Sequence, residues 1–270
     1  MALPSGYKRL LYIRSSGTQY INTEFNPKYN TRVVMKISDV DTSIDNQWFF
    51  GARDATNASI NDRFTLYKIG ETVRSDYFGT SVTVDVSDFT GSTTLDKNGN
   101  VASVYGETIT NTAVSSGACA YPLFLFVLNN AGTPHSNYAS YSLESCQIYD
   151  GSTLAQNFIP CTNASGEVGL WDDVNSKFYA NAGTGAFTAG PAVGVLPAGY
   201  TQLEYIESNG TQYIDLEFYP DQGTVIEMVV SGWSKENTGT TIFGVFPGTG
   251  GRYELRAISA VLSVELLSYT

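Results

Sequence analysis

The chain has 270 residues, is 42% hydrophobic and only 15% charged, and carries 18 Tyr and 14 Phe, so it can close a substantial core and does not read as disordered. Its formal net charge is -11, and no Lys or Arg occurs from Asn98 to Ser176, a balance that repels phosphate backbones and argues against a nucleic-acid partner. No run approaches the roughly 18 apolar residues of a membrane span, and the opening "MALPSGYKRL" lacks the apolar centre of a signal peptide, so a soluble chain without membrane insertion is expected.

In chain order, the residues read as strand after strand. "RLLYIRS" and "QYINTEF" flank a Ser-Gly turn at Ser16-Gly17 and predict a first hairpin. "TRVVMKI" alternates Val33, Met35 and Ile37 against polar neighbours at period two, and "QWFFGA", "RFTLYKI" and "SVTVDVSDF" follow, the last with Val82, Val84 and Val86 on one face. "STTLDKNGNVASVYG" places Asn98-Gly99 between two short strands, a strong hairpin signal because both central positions take positive φ. "YPLFLFVL" (Tyr121 to Leu128) is apolar on both faces and predicts a buried central strand. "YSLESCQIYD", "AQNFIPC", "EVGLWD" and "KFYAN" complete the series, and no segment shows a capped helical stripe. A dozen short strands without helices predict an all-β, antiparallel sandwich of the jelly-roll kind.

The opening recurs. "LPSGYKRLLYIRSSGTQYINTEFNP" (Leu3 to Pro27) and "LPAGYTQLEYIESNGTQYIDLEFYP" (Leu196 to Pro220) are identical at 16 of 25 positions, at a shift of 200 − 7 = 193. At that shift Phe50 falls on Phe243 and Gly51 on Gly244, and Arg63-Phe64 matches Arg252-Tyr253 once about four loop residues are dropped. A repeat this long is a whole domain rather than a solenoid unit. The expected organisation is a complete sandwich over 1–191, a Pro/Gly/Ala-rich linker over 192–199, and the first part of a second copy over 200–270, read as a fragment of a longer protein.

Cys119, Cys146 and Cys161 are odd in number, lack metal-type spacing and sit among apolar neighbours, so all three are expected in the core without disulfide or zinc. A glycoside hydrolase would present two carboxylates from one face, about 5 to 9 Å apart. Asp215 with Glu217 and Asp85 with Asp88 are the nearest approaches, and neither forms the expected run, so no catalytic residue is assigned. His135 is the sole histidine, and no nucleophile motif surrounds it. Asp39, Asp41 and Asp45 in "DVDTSID" have calcium-type spacing, but the Gly and Glu of an EF-hand loop are replaced by Ile44 and Phe50, so neither a metal nor a cofactor is expected.

The order of segments resembles the concanavalin A-like lectin/glucanase jelly rolls of the laminin-G type, in particular modules of gut bacteria and their phages. Those open "LPxGYxxLEYIxSxGTQYIDT" and close on a segment similar to "NFIPCTNASGEVGLWDDVNSKFYANAGTGAFTAG" (Asn157 to Gly190). The resemblance implies a non-enzymatic binding or structural display module of a phage tail, virion or bacterial surface protein. Its expected partners are a cell-surface glycan and other protein subunits or copies of the chain. A purely structural virion spacer and a glycoside hydrolase are the alternatives. Glycan binding needs an aromatic platform beside Asn, Asp or Arg, and the longest polar loops supply Arg53, Asn129, Asn130, His135 and Tyr138 as the candidate ligand-binding residues. Trp48 and Trp171 are expected in core or rim packing.

Overall fold

The computed structural model describes residues 3–54, 62–193, 207–209, 211–217, 241–245 and 253–256. The chain divides into two units, Met1–Gln202 and Leu203–Thr270. No helix occurs among the described residues.

Nineteen short strands occur among the described residues of the first unit. They are β1 (Lys8–Arg9), β2 (Ile13–Arg14), β3 (Ile21–Asn22), β4 (Thr31–Ser38), β5 (Asn46–Arg53), β6 (Arg63–Ile69), β7 (Thr72–Tyr77), β8 (Thr80–Asp85), β9 (Thr93–Asn98) and β10 (Val101–Val104). They continue as β11 (Glu107–Thr110), β12 (Phe124–Leu125), β13 (Leu128–Asn130), β14 (Thr133–Pro134), β15 (Ser142–Asp150), β16 (Thr153–Thr162), β17 (Val168–Asp172), β18 (Lys177–Tyr179) and β19 (Thr188–Ala189).

Two sheets result. The first runs β11-β10-β9-β4-β15-β16-β17-β18, with β1 on β16 and β2 between β15 and β19; the second runs β14-β13-β5-β6-β7-β8, with β12 bridging β5 and β3. Their inner faces meet as an all-β sandwich. Val33, Met35 and Ile37 of β4 alternate into the core as their period predicts, and face Phe64 and Leu66 of β6 and Val73 and Tyr77 of β7 in one apolar cluster. Cys119, Cys146 and Cys161 are free and buried.

The hairpin forms, with β9 pairing β10 antiparallel, but its turn is shifted by one residue: Asn98 closes β9 opposite Val101, Gly99 and Asn100 are the turn residues, and only Gly99 has positive φ, at 54°. Two other expectations need correcting. The Ser16-Gly17 turn does not close a hairpin, because β2 pairs β15 and β19 in the first sheet while β3 pairs β12 in the second. The turn carries the chain from one sheet to the other. Gln19, nearly buried, makes it self-contained: its Oε1 accepts the Ser15 hydroxyl at 3.1 Å and the Ser16 amide at 2.8 Å. "YPLFLFVL" is buried but is not one strand. Phe126 stands at φ 71°, donates its N–H to Phe49 O at 2.9 Å and stacks on Tyr141 at 4.4 Å. That kink separates β12, antiparallel to β5, from β13, which runs parallel to β5, so the sheet is not antiparallel throughout.

The opening and closing motifs of the unit meet. Thr184 N donates to Thr18 O, Ala182 N to Tyr20 O, and Asn181 Oδ1 accepts the Tyr20 amide at 3.1 Å. Gly183 lies so close that a Cβ there would stand 2.2 Å from Thr18 O. In the closing segment, Asp172 is fully buried and accepts the amides of Asn157 and Val174. The "GTQY" and "NAGTG" stretches therefore do folding work, tying the first strands to the last.

In the second unit, β20 (Thr241–Val245) pairs β21 (Tyr253–Arg256) antiparallel. Three local features of its described residues match features of the first unit. Asn209 N donates to Gln212 Oε1 at 2.9 Å, as Ser16 N does to Gln19. Glu217 has positive φ and donates its N–H to Asp215 Oδ1, as Glu24 does to Asn22. The register of β20 shifts between Thr241 and Phe243, matching the shift between Trp48 and Phe50 of β5.

Candidate functional site

The bulge in β5 sets up the site. With one residue unpaired between Trp48 and Phe50, two consecutive phenylalanines, Phe49 and Phe50, both enter the core, and Trp48 turns to the outer face of the second sheet. There it stacks on Tyr67 of β6 at 3.8 Å and packs with Leu128 of β13. Gly51 lies flat beneath them, since a Cβ on it would come within 2.9 Å of Leu128 Cδ1 and 3.0 Å of Thr65 Cγ2. Trp48 thus joins neither the main core nor an open rim; it forms the nearly buried floor of a second, outer cluster.

Polar side chains of alternate residues stand round that floor. β6 contributes Arg63 and Tyr67 and β7 contributes Arg74 and Asp76, which share one face because alternate strand residues do. Asp76 is fully buried and holds three donors: Arg63 Nη1 at 3.3 Å, Arg74 Nε at 2.9 Å and the Ser81 hydroxyl at 2.5 Å. Burial, then the charge of Asp76, pushes the Tyr67 phenol up to about 12, and Arg74 lies 5.9 Å from its ring centroid. The parallel pairing of β13 with β5 sets Asn130 opposite Arg53, and Arg53 Nε donates to Asn130 Oδ1 at 2.7 Å. His135, just past β14, meets the Trp48 edge with centroids 5.8 Å apart. Burial, then the positive charge of Arg53, holds His135 below the usual imidazole range. His135 Nδ1 accepts the Asn137 amide at 3.2 Å, which leaves the proton of the neutral ring on Nε2.

Of the five residues chosen from the sequence, Arg53, Asn130 and His135 therefore come together. Asn129 does not join them: it is fully buried, its Nδ2 donates to Pro122 O and its Oδ1 accepts the Gly132 amide, so it holds the loop. Tyr138 faces elsewhere, against Tyr20 at 6.3 Å. Arg63, Tyr67, Arg74 and Asp76 lie in strands β6 and β7, where loop composition does not mark them. The visible signal was parity, charges at alternate positions of two adjacent strands bounded by a short turn.

Three of the carboxylates weighed for chemistry are engaged locally. Asp41 Oδ1 accepts the Ser43 amide and hydroxyl, which lowers its pKa, and Asp39 Oδ2 accepts the Ser142 hydroxyl. Asp88 Oδ1 accepts the Thr90 amide. No group of three metal-ligating side chains occurs among the described residues. A groove of about 500 Å³ opens elsewhere, lined by Tyr29, Asn30, Asn98, Gly99 and Asn100 among others.

Fold and site define an all-β sandwich whose second sheet carries an aromatic floor ringed by arginines on its outer face. No protein-family model matches the chain, and no curated protein matches it. Among solved structures, the K499G mutant of NanB sialidase from Streptococcus pneumoniae is similar at a TM-score of 0.33 and 10% identity, over 67% of this chain and 39% of that one. The chain thus spans well under half the length of that protein, and so slight a likeness carries no functional argument.

Proposed function

We propose that this chain is a non-enzymatic, concanavalin A-like binding module of a phage tail, virion or bacterial surface protein, and that it takes a glycan on the outer face of its second sheet. The observation that carries the reading is the convergence of Arg53, Asn130 and His135 on the rim of the Trp48–Tyr67 stack. Sugar recognition needs donors and acceptors fixed beside an apolar surface, and these three groups are partly exposed while the aromatics below them are packed. A glycoside hydrolase needs an acid and a base or nucleophile. Asp76, the carboxylate built into this face, is committed to two arginines and a serine, which favours binding over hydrolysis.

A glycan array with the intact chain tests the reading. Binding to at least one glycan is expected, lost in Arg53→Ala and kept in Tyr138→Ala, whose ring lies against Tyr20 rather than in the cluster. Release of new reducing ends from a bound polysaccharide would replace the module with an enzyme. A structural spacer is the second reading, favoured by the turn and bulge that recur in the second unit; binding to no glycan at all would put it first.

A further inference from the structure

Three arginines meet on this face. The chain is strongly acidic, at -11, yet Arg53, Arg63 and Arg74 gather here around the Asp76 carboxylate. Burial, then the charge of Arg63, holds the Arg53 guanidinium below its ordinary range, and Arg53 in turn helps hold down His135. Asp54 is engaged elsewhere, accepting the Ala120 amide, and Asp54 and Asp62 act on the Cys119 thiol. Residues 55–61, "ATNASIN", contain no acid.

Arg53 is also placed to receive a ligand. Its Nε is tied to Asn130, which fixes the plane of the guanidinium, and its terminal nitrogens donate to no described residue. The side chain is partly exposed. The tautomer of His135 leaves an Nε2–H donor beside it. A cluster of like charges in a partly dry setting is costly unless an anion completes it, and a guanidinium fork matches the two oxygens of an oxyanion.

We propose that the glycan taken at this face is acidic, with a carboxylate or sulfate group docked on the free edge of Arg53 beside Asn130 and His135. This rests on the glycan-binding reading above and names its ligand class. Arg63 and Arg74, held by Asp76, supply the field behind the contact and are positioning residues.

The test is calorimetric titration of the full chain with oligosaccharides paired by charge: sialyllactose against lactose, a hexuronate oligomer against its neutral hexose counterpart, and a sulfated sugar against the unsulfated one. At least one acidic member is expected to bind at least about tenfold tighter than its neutral partner, and the carboxylate and sulfate arms identify the group. Arg53→Gln should erase the preference with little change in melting temperature. If Arg53→Gln fails to fold, Asn130→Asp, which sets a carboxylate against Arg53, should erase it equally. Neutral and acidic partners binding alike, or a preference that survives both variants, overturns the charge inference and leaves the glycan reading standing. No binding by any sugar at millimolar concentration overturns the glycan reading, and the inference falls with it.

Discussion

Lys97 is fully buried between the two sheets, where it reports on the core without touching the candidate site. Its Nζ donates to the Ser75 hydroxyl at 2.5 Å and lies 4.9 and 5.4 Å from the ring centroids of Phe64 and Tyr77. Desolvation outweighs the attraction of Asp76 and pulls the ammonium from 10.5 down to about 7. A folded-state value below the unfolded one means that unfolding takes up protons, so this group makes the protein more stable as pH rises from 7 toward 10.5. With those two values, linkage gives a gain of about 2 kcal/mol between pH 7 and pH 9. Burial raises the thiols of Cys119, Cys146 and Cys161, whose contribution runs the other way, being lost as pH climbs through the ordinary thiol range. The thiols are common to wild type and Lys97→Met, so the difference between the two isolates the lysine. Urea unfolding of both from pH 7 to 9 is the assay, and any advantage of the methionine variant should shrink by about 2 kcal/mol across that range. A difference constant to within about 0.5 kcal/mol would refute the reasoning and place the amine in contact with water.

The remaining predictions concern the clamp and the ion cluster. Gly183→Ala should destabilise by roughly 1–3 kcal/mol, because its Cβ meets the Thr18 backbone and Thr18 cannot yield cheaply; thermal melts should show it. Gly17→Val is expected to cost less than a steric clash would, about 1–2 kcal/mol, since the site is open and only φ 104° is strained; a variant as stable as wild type counts against the strain argument. Gln19→Ala should cost about 1–3 kcal/mol by removing the acceptor of the buried Ser15 hydroxyl and of the Ser16 amide, measurable by denaturant unfolding. Asp76→Asn should destabilise by about 3–5 kcal/mol, because it removes the fully buried carboxylate that pairs with Arg63 and Arg74 and accepts the Ser81 hydroxyl; a loss below about 1 kcal/mol would show that solvent reaches the cluster.

Much of the fold was legible because period-two patterning is local. The alternation of Val33, Met35 and Ile37, and the hairpin signal at Asn98-Gly99, need no partner to be recognised. What escaped were features that depend on a neighbour. Nothing in "LLYIRSSGTQYI" says that the strands on either side of Gly17 enter different sheets; that is decided by Ser142–Leu143 and Phe124–Leu125, more than a hundred residues away. The apolar run Tyr121–Leu128 carries no mark of the left-handed Phe126, which is held by Phe49 and Tyr141. The site was half legible for the same reason. Loop composition found Arg53, Asn130 and His135, but it also took in Asn129, whose amide serves the loop, and Tyr138, which meets Tyr20. The strand-borne Arg63, Arg74 and Asp76 became visible as one cluster only through the pairing of β6 with β7.

The central claim is that a ligand meets the outer face of the second sheet at Arg53. Amide and indole shift mapping by NMR, during titration with the tightest-binding acidic oligosaccharide, tests it most directly. The account predicts perturbations centred on Arg53, Asn130, His135 and the Trp48 indole, with the Lys97 region and Tyr138 unmoved. Perturbations centred on the groove around Tyr29, Asn98 and Asn100, with Arg53 silent, would contradict it.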